Sequence, residues 1–382
     1  MKKNILVICE SIDITNGGSV GQTKRIINAL KDKFRLVLFT TKISNKLSKD
    51  LENIKVYEFP TSPSIGVNKF KFINSAYISK SRIKNILLKE KIDLIYNAHT
   101  SLISKKVRGV SKKLNIPFVN HIHTPKNLNM HMLPKIIKFK VIGNLLDKFM
   151  IKSYKDSDMV IFTGTYDMDL KKELEAEGIK SEIISNGIDT TKYKKKTNKK
   201  ELLKKYNLSN KKKVMYGGRY SPDKNIKVLL EACKDIKDYE LIVIGHDLIY
   251  KKFKEYFENN KNLIYMGPRY NNELIDMYSI ADVFVLPSLI ELESLFFLEA
   301  ASCSLPIIIS DSIDNKTNQY VKKNGFLFKS TNPKDLRKKI DILMKDNKLR
   351  KKMSIESRKL AISLDFKKSI KKIEQLFMKL IK

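Results

Sequence analysis

Two glutamates with seven residues between them, Glu291 and Glu299, stand in the run Pro287-Ser-Leu-Ile-Glu-Leu-Glu-Ser-Leu-Phe-Phe-Leu-Glu-Ala300. If Val283 to Leu286 is a strand, Glu291 falls in the loop after it and Glu299 projects from the helix that follows. Glu299 is set in almost wholly apolar sequence, where a carboxylate is badly placed unless a ligand partners it. Two carboxylates at one cleft can accept hydrogen bonds from sugar and ribose hydroxyls, or serve as acid, base or nucleophile at an anomeric carbon.

A cationic counterpart lies upstream, in Val214-Met-Tyr-Gly-Gly218-Arg219-Tyr-Ser-Pro-Asp-Lys224-Asn225. Arginine at a strand end and lysine at a helix start, with glycines that let backbone approach closely, suit a diphosphate. The competing reading pairs Arg219 with Asp223 on the surface. A further glycine turn, Gly17-Gly18, follows the first strand and precedes an amphipathic helix through Ile26, Ile27 and Leu30; a helix N-terminus there offers free N–H groups to a phosphate. Histidines occur in two loops, at His99 and at His121-Ile-His123-Thr124. They can donate to a sugar hydroxyl or phosphate, pair on a metal, or simply bond to backbone. No third ligand sits near His121 and His123 at metal-site spacing.

These loops must be positioned by strands. Short unbroken apolar runs separated by stretches of helical period recur along the chain, the pattern of a parallel sheet covered on both faces. The first series is Ile5–Ile8, Leu36–Phe39, Ile54–Tyr57, Leu94–Tyr96, Phe118–Val119 and Met159–Phe162. The polar stretch around Asn186 to Asn210 interrupts it. The second is Val214–Tyr216, Leu241–Ile244, Leu263–Met266, Val283–Leu286 and Ile307–Ile309. The 382 residues agree with two domains at ~150 residues each. Ligands of such sheets bind at the carboxyl ends of the strands, so the chemistry belongs in the loops just described.

No apolar run approaches the ~20 residues of a membrane span, and Glu10 and Asp13 follow the opening apolar run where a signal peptide would place its cleavage site. Three cysteines lie far apart without a pairing or metal pattern, which fits a reducing cytoplasm. The net charge is +34, from 75 basic and 41 acidic residues. Lysines scattered throughout fit a compositional bias, and attraction to an anionic membrane is the next reading. Nucleic acid is not expected as a partner, because no reading module is present.

Taken in order, these residues resemble the retaining glycosyltransferases of family 4. The resemblance runs through Gly17-Gly18, His123-Thr124, Asn186-Gly187-Ile188-Asp189, Gly218-Arg219 to Lys224, Gly267, Ala281-Asp282 to Pro287-Ser288, and the glutamate pair. It implies the GT-B fold: α/β, two doubly wound Rossmann-like domains with an interdomain cleft. The acceptor-side domain would span 1–185 and the nucleotide-sugar domain 186–364, with a helix at about 365–382 packing back on the first. It implies transfer of a hexosyl group from a nucleotide-diphosphate sugar to a cell-envelope glycan or glycolipid, with retention of configuration.

By the same resemblance Arg219 and Lys224 bind the diphosphate, Glu299 the ribose, and Glu291 with the amides that follow it, through Ser294 and Leu295, the donor sugar. Gly218 and Gly267 line the donor site, Gly17 and Gly18 approach the diphosphate from the other domain, and His123 lies against the transferred sugar. Arg219 and Lys224 stabilise the leaving group in the transition state. One departure stands out. The family often has Gly-Phe-Gly after the first glutamate, where this chain has Leu292-Glu293-Ser294, which puts a third carboxylate, Glu293, beside the sugar.

No metal or other cofactor is expected, the nucleotide sugar being a co-substrate. Asp156-Ser-Asp158 and Asp167-Met-Asp169 resemble metal-binding D-x-D pairs but fit a helix end and a helix's first turn. Residues Met132 to Lys155 mix lysines with apolar residues at helical spacing, as either a membrane-surface helix on the inner face of the cell membrane or an ordinary amphipathic helix. Other activities open to a GT-B fold are a sugar-nucleotide epimerase or a phosphorylase, and a non-catalytic protein binding nucleotide sugars or polyanions.

Overall fold

The computed structural model describes residues 2–10, 12, 18–41, 51, 54–60, 65–67, 70–73, 78–98, 100–123, 137–164 and 168–381. The chain divides into two compact units, one of Met1–Thr124, Asn144–Ile184 and Ser369–Lys382, the other of Pro125–Gly143 and Ser185–Lys368.

In the first unit the strands are β1 (Asn4–Ile8), β2 (Arg35–Thr41), β3 (Lys55–Phe59), β4 (Ile65–Val67), β5 (Phe70–Ile73), β6 (Leu94–Asn97), β7 (Phe118–Ile122), β8 (Met159–Thr163) and β9 (Lys180–Ile184). Seven form one parallel sheet in the order β3-β2-β1-β6-β7-β8-β9, and β4 and β5 pair antiparallel apart from it. In β1, Ile5, Leu6, Val7 and Ile8 are all at most 4% exposed, so neither face of the strand meets water. At ~1.5–3 kcal/mol for each large aliphatic side chain, that one strand's burial is comparable with a domain's whole net stability.

Helices cover the sheet. Ser79 caps Lys80–Lys89 by accepting from the Arg82 N–H, and Ser101 with Ser104 forms a reciprocal capping box for Leu102–Lys113. The last helix, Phe366–Leu380, buries Ile370, Ile373, Leu376 and Phe377 as one stripe. Phe377 meets Phe34 and Tyr96 with ring centroids 6.1 and 5.5 Å apart, and Glu374 pairs with Lys33.

The second unit is built on β10 (Lys212–Gly218), β11 (Tyr239–Gly245), β12 (Leu263–Gly267), β13 (Val283–Leu286), β14 (Ile307–Ser310) and β15 (Gly325–Phe328). Their order is β12-β11-β10-β13-β14-β15, again parallel throughout. Val214, Tyr216, Leu241, Val243, Val283 and Val285 pack into one core, while Met215, Ile242, Ile244, Phe284, Leu286 and Ile307 pack into another. Alternation along each strand sends successive side chains to opposite faces, and both are buried. Strand order reverses between β10 and β13, which makes the loops leaving those two strands the walls of a crevice.

No helix among the described residues is long and apolar enough to cross a membrane. Within Met132 to Lys155 the structure describes a helix, Ile137–Lys155, in which Asp147 and Tyr154 are buried and Leu145 is exposed. Residues 132–136 lie outside the described part.

Candidate functional site

In the second unit the site grows from the two loops at the strand-order reversal. β10 ends at Gly217 and Gly218, and a side chain at either would displace a neighbour. A Cβ on Gly217 would stand 2.5 Å from the Phe296 ring, and one on Gly218 would stand 2.5 Å from the Tyr216 hydroxyl. The chain then makes a short 3-10 turn, Pro222–Lys224, and leaves it through Asn225 in the left-handed region at φ 47°. Asparagine tolerates that conformation better than most residues.

This turn carries Asp223 inward and Lys224 across to the neighbouring loop. Lys224 Nζ lies 2.6 Å from Glu291 Oε1 and 3.2 Å from Asp223 Oδ2. Ser288 donates its hydroxyl to the same Glu291 oxygen at 3.0 Å, and the Leu289 N–H donates to the Asp223 carbonyl at 2.8 Å. Side chain and backbone therefore both join the loop after β10 to the loop after β13. Burial alone would raise the Asp223 carboxyl, but the charge of Lys224 beside it, with that of Arg219, holds it below the usual range.

Arg219 is about half exposed, 52% for its side chain, and its guanidinium reaches Asp223 only at 3.5 Å. At that distance the hydrogen bond is weak. Asp223 is fully buried, so the pairing is not the surface contact considered from sequence. The guanidinium keeps donors for an anion in a place where Lys224 is already committed to two carboxylates.

Glu291 is clamped from behind. Its N–H donates to the Asp314 carbonyl and its own carbonyl accepts from the Lys316 N–H at 2.8 Å. Asn315, fully buried, donates through Nδ2 to the Ser288 carbonyl at 3.0 Å. The segment after β14 thus sets the conformation of the Glu291 loop.

The next residues divide their roles. Glu293 is 5% exposed, and its carboxylate accepts from the Ser185 hydroxyl at 3.0 Å, the Asn186 N–H and the Tyr320 hydroxyl. Ser294 caps the helix Leu295–Ser302, and its own N–H donates to Thr317 Oγ1 at 3.1 Å. Leu295 opens that helix. Glu299, on its second turn and half-buried, accepts from the Tyr278 hydroxyl at 2.8 Å. Tyr278 is fully buried, and burial together with the Glu299 charge pushes its hydroxyl pKa well above the ordinary value. Gly267, at the end of β12, has φ 70°, which a side chain would strain.

In the first unit Gly18 opens the helix Gly18–Leu30 and is exposed, while Gly17 lies outside the described residues, as do His99, Thr124 and Asp167. His123 follows β7 directly. Its Nδ1 is 3.4 Å from Thr163 Oγ1, and its ring lies against that of His121 with centroids 3.9 Å apart and planes tilted by 35°. Asp156 and Asp158 are engaged elsewhere. Asp158 Oδ2 takes the Arg108 guanidinium at 2.7 Å and the Phe118 N–H at 2.8 Å, and Asp156 faces Arg108 and Lys112. Among the described residues no cluster of metal-ligating side chains occurs.

Sequence reasoning named Ser288 only as part of a motif and missed the other residues that hold this site in place: Tyr278, Asn315, Thr317 and Tyr320. The signal available was the polar run after Ile307–Ile309, whose Asn315 and Thr317 are buried despite their composition. Nothing in the local sequence says which loop they face.

Two doubly wound sheets, with a cation pair and two carboxylates at the strand-order reversal of the second, define a GT-B glycosyltransferase. The family model described as Glycosyltransferase Family 4 matches residues 16–192, and that described as Glycosyl transferases group 1 matches residues 198–360. The chain belongs to this family and is a glycosyltransferase. It is 26% identical to the N,N'-diacetylbacillosaminyl-diphospho-undecaprenol alpha-1,3-N-acetylgalactosaminyltransferase of Campylobacter jejuni, over 89% of this chain and 90% of that one. It is 28% identical to the UDP-Gal:alpha-D-GlcNAc-diphosphoundecaprenol alpha-1,3-galactosyltransferase of Escherichia coli, over 78% of each. The fold is shared with Anabaena HepE, whose structure holds UDP and glucose, at a TM-score of 0.76 and 17% identity over 99% of this chain and 100% of that one.

Proposed function

We propose that the chain moves a hexosyl group, with retention of configuration, from a nucleotide-diphosphate sugar to a glycolipid or lipid-linked glycan of the cell envelope. The observation that carries this reading is the pairing of Lys224 with Glu291 beside a half-exposed Arg219. Cations meet a carboxylate where strand order reverses, which suits a substrate with a diphosphate next to a sugar. In this reading Arg219 and Lys224 neutralise the departing diphosphate, and their contribution grows as charge develops there. Glu299 accepts from the ribose hydroxyls, and Glu291 faces the donor sugar. Gly18 and Gly17 supply backbone approach to the diphosphate, and His123 meets the transferred sugar. The leaving phosphate assists loss of the acceptor's proton on the same face, so no metal is required.

The acceptor class is supported by the two bacterial relatives, whose names specify diphosphoundecaprenol-linked sugars. A lipid-linked acceptor and a net charge of +34 together support peripheral association with an anionic membrane face. Glu293, engaged by Ser185, Asn186 and Tyr320, acts by bracing the sugar-facing loop.

The test is to incubate the full chain with a panel of nucleotide sugars and a diphosphoundecaprenol-linked sugar, and to read the anomeric configuration of the product by NMR. Glycosylated acceptor with the donor's configuration is expected. An inverted product would end the retaining mechanism, and no transfer from any nucleotide sugar would end the donor assignment.

A further inference from the structure

The protons of a buried group in the first unit can be counted. Thr163 Oγ1 lies 2.7 Å from the Ile122 carbonyl, which can only accept, so the single hydroxyl proton goes there. Every other contact of that oxygen must be one in which it accepts. His121 Nε2 is 3.1 Å from it and therefore carries a proton. His121 is fully enclosed, and burial pushes its pKa down to about 3, which keeps the ring neutral. Its Nδ1 is then a lone pair, and the Tyr96 hydroxyl, 2.7 Å away and itself buried, donates to it.

The second lone pair of Thr163 Oγ1 faces His123 Nδ1 at 3.4 Å. A proton on Nδ1 satisfies this geometry, whereas a lone pair there would oppose another lone pair. Reversing the whole set would require Thr163 to donate to His121 and leave the Ile122 carbonyl against an oxygen lone pair at 2.7 Å. That arrangement is disfavoured because two oxygen lone pairs facing each other at that distance repel.

We propose that Tyr96, His121 and Thr163 form an ordered hydrogen-bond relay that fixes the proton on Nδ1 of His123, so that the neutral ring carries its lone pair on Nε2. His123 then acts on the sugar as an acceptor of a hydroxyl proton, and the other three are positioning residues. The sugar contact rests on the function proposed above, but the tautomer does not. The wrong tautomer would set an N–H where the sugar hydroxyl needs an acceptor.

The experiment uses the full chain labelled with 15N at histidine and reads the ring tautomers from two-bond proton–nitrogen correlations, alongside steady-state transfer. His123 is expected to show a protonated Nδ1 and an unprotonated Nε2. Thr163→Val should mix the two tautomers at His123 and lower kcat/KM for the donor by about five- to tenfold. Thr163→Ser should restore both, and Tyr96→Phe should disturb His121 first. If Thr163→Val does not fold, the serine and phenylalanine variants still report on the relay.

A wild-type His123 protonated on Nε2, or a tautomer unchanged in Thr163→Val, overturns the relay. The predicted tautomer with transfer unaffected by its loss overturns the sugar contact alone. Absence of any transfer by the wild-type chain counts against the proposed function, and the tautomer is read independently of it.

Discussion

Lys224 Nζ lies 2.6 Å from Glu291 Oε1, a single ion pair that ties the loop after β10 to the loop after β13. Both side chains are mostly buried, at 14% and 15% exposure, so neither partner is easily replaced by water. Lys224→Met should reduce glycosyl transfer by roughly 10²–10³-fold, the usual cost of removing a group that stabilises transition-state charge. Initial rates with saturating donor measure it, and a variant within a few fold of wild type would remove Lys224 from the chemistry.

Tyr278 holds Glu299 from beneath through a 2.8 Å hydrogen bond. Tyr278→Phe keeps the ring that packs in the core and deletes only the donor. Weaker nucleotide binding by about five- to tenfold is expected, with kcat less affected, because a hydrogen bond to a charged carboxylate is worth ~1.5–3 kcal/mol and only part of that is felt by the nucleotide. Calorimetric titration with the nucleoside diphosphate checks this, and an unchanged affinity would show that Glu299 needs no such support.

Glu293 should matter more to stability than to donor affinity, because its carboxylate is turned to Ser185, Asn186 and Tyr320. Glu293→Ala leaves buried donors unsatisfied and should cost about 1–3 kcal/mol in denaturant unfolding of the second unit. A variant of wild-type stability with a large rise in donor KM would place Glu293 at the sugar instead.

Acid stability should depend on Glu90. Burial would raise its carboxyl, but hydrogen bonds from Lys55, Tyr57 and Arg35 outweigh this and lower it from 4.5 to about 2. A depressed folded-state value means stabilisation that is complete above the unfolded value, near 4.5, and is lost as pH falls toward about 2. In Glu90→Gln the stability profile across that window should flatten. A profile that keeps the wild-type slope would assign the acid sensitivity to other carboxylates.

Gly217 and Phe296 form a packed pair in which one residue's missing side chain makes room for the other's ring. Gly217→Val should destabilise the second unit by ~1–3 kcal/mol through overpacking, and adding Phe296→Ala should recover part of that loss. A Gly217→Val variant as stable as wild type would mean that the ring moves aside at no cost.

Much of this architecture was legible because it is set by local pattern. Unbroken runs such as Val283–Leu286 must be covered on both faces, and that requirement leads to parallel, doubly wound sheets whatever lies between them. Arg219, Lys224, Glu291 and Glu299 could be singled out for the same reason, since charged residues beside apolar strands and helices need a physical explanation. What the sequence determined by itself was therefore the fold class and the residues able to do chemistry. Tertiary structure alone decided their partners. Glu291 meets Lys224 because strand order brings β10 beside β13, Glu299 meets Tyr278 from another helix, and Glu293 turns to Ser185 and Tyr320, segments far from it in sequence. A hydrogen bond depends on distances of a few tenths of an ångström between such segments, and no local periodicity encodes them.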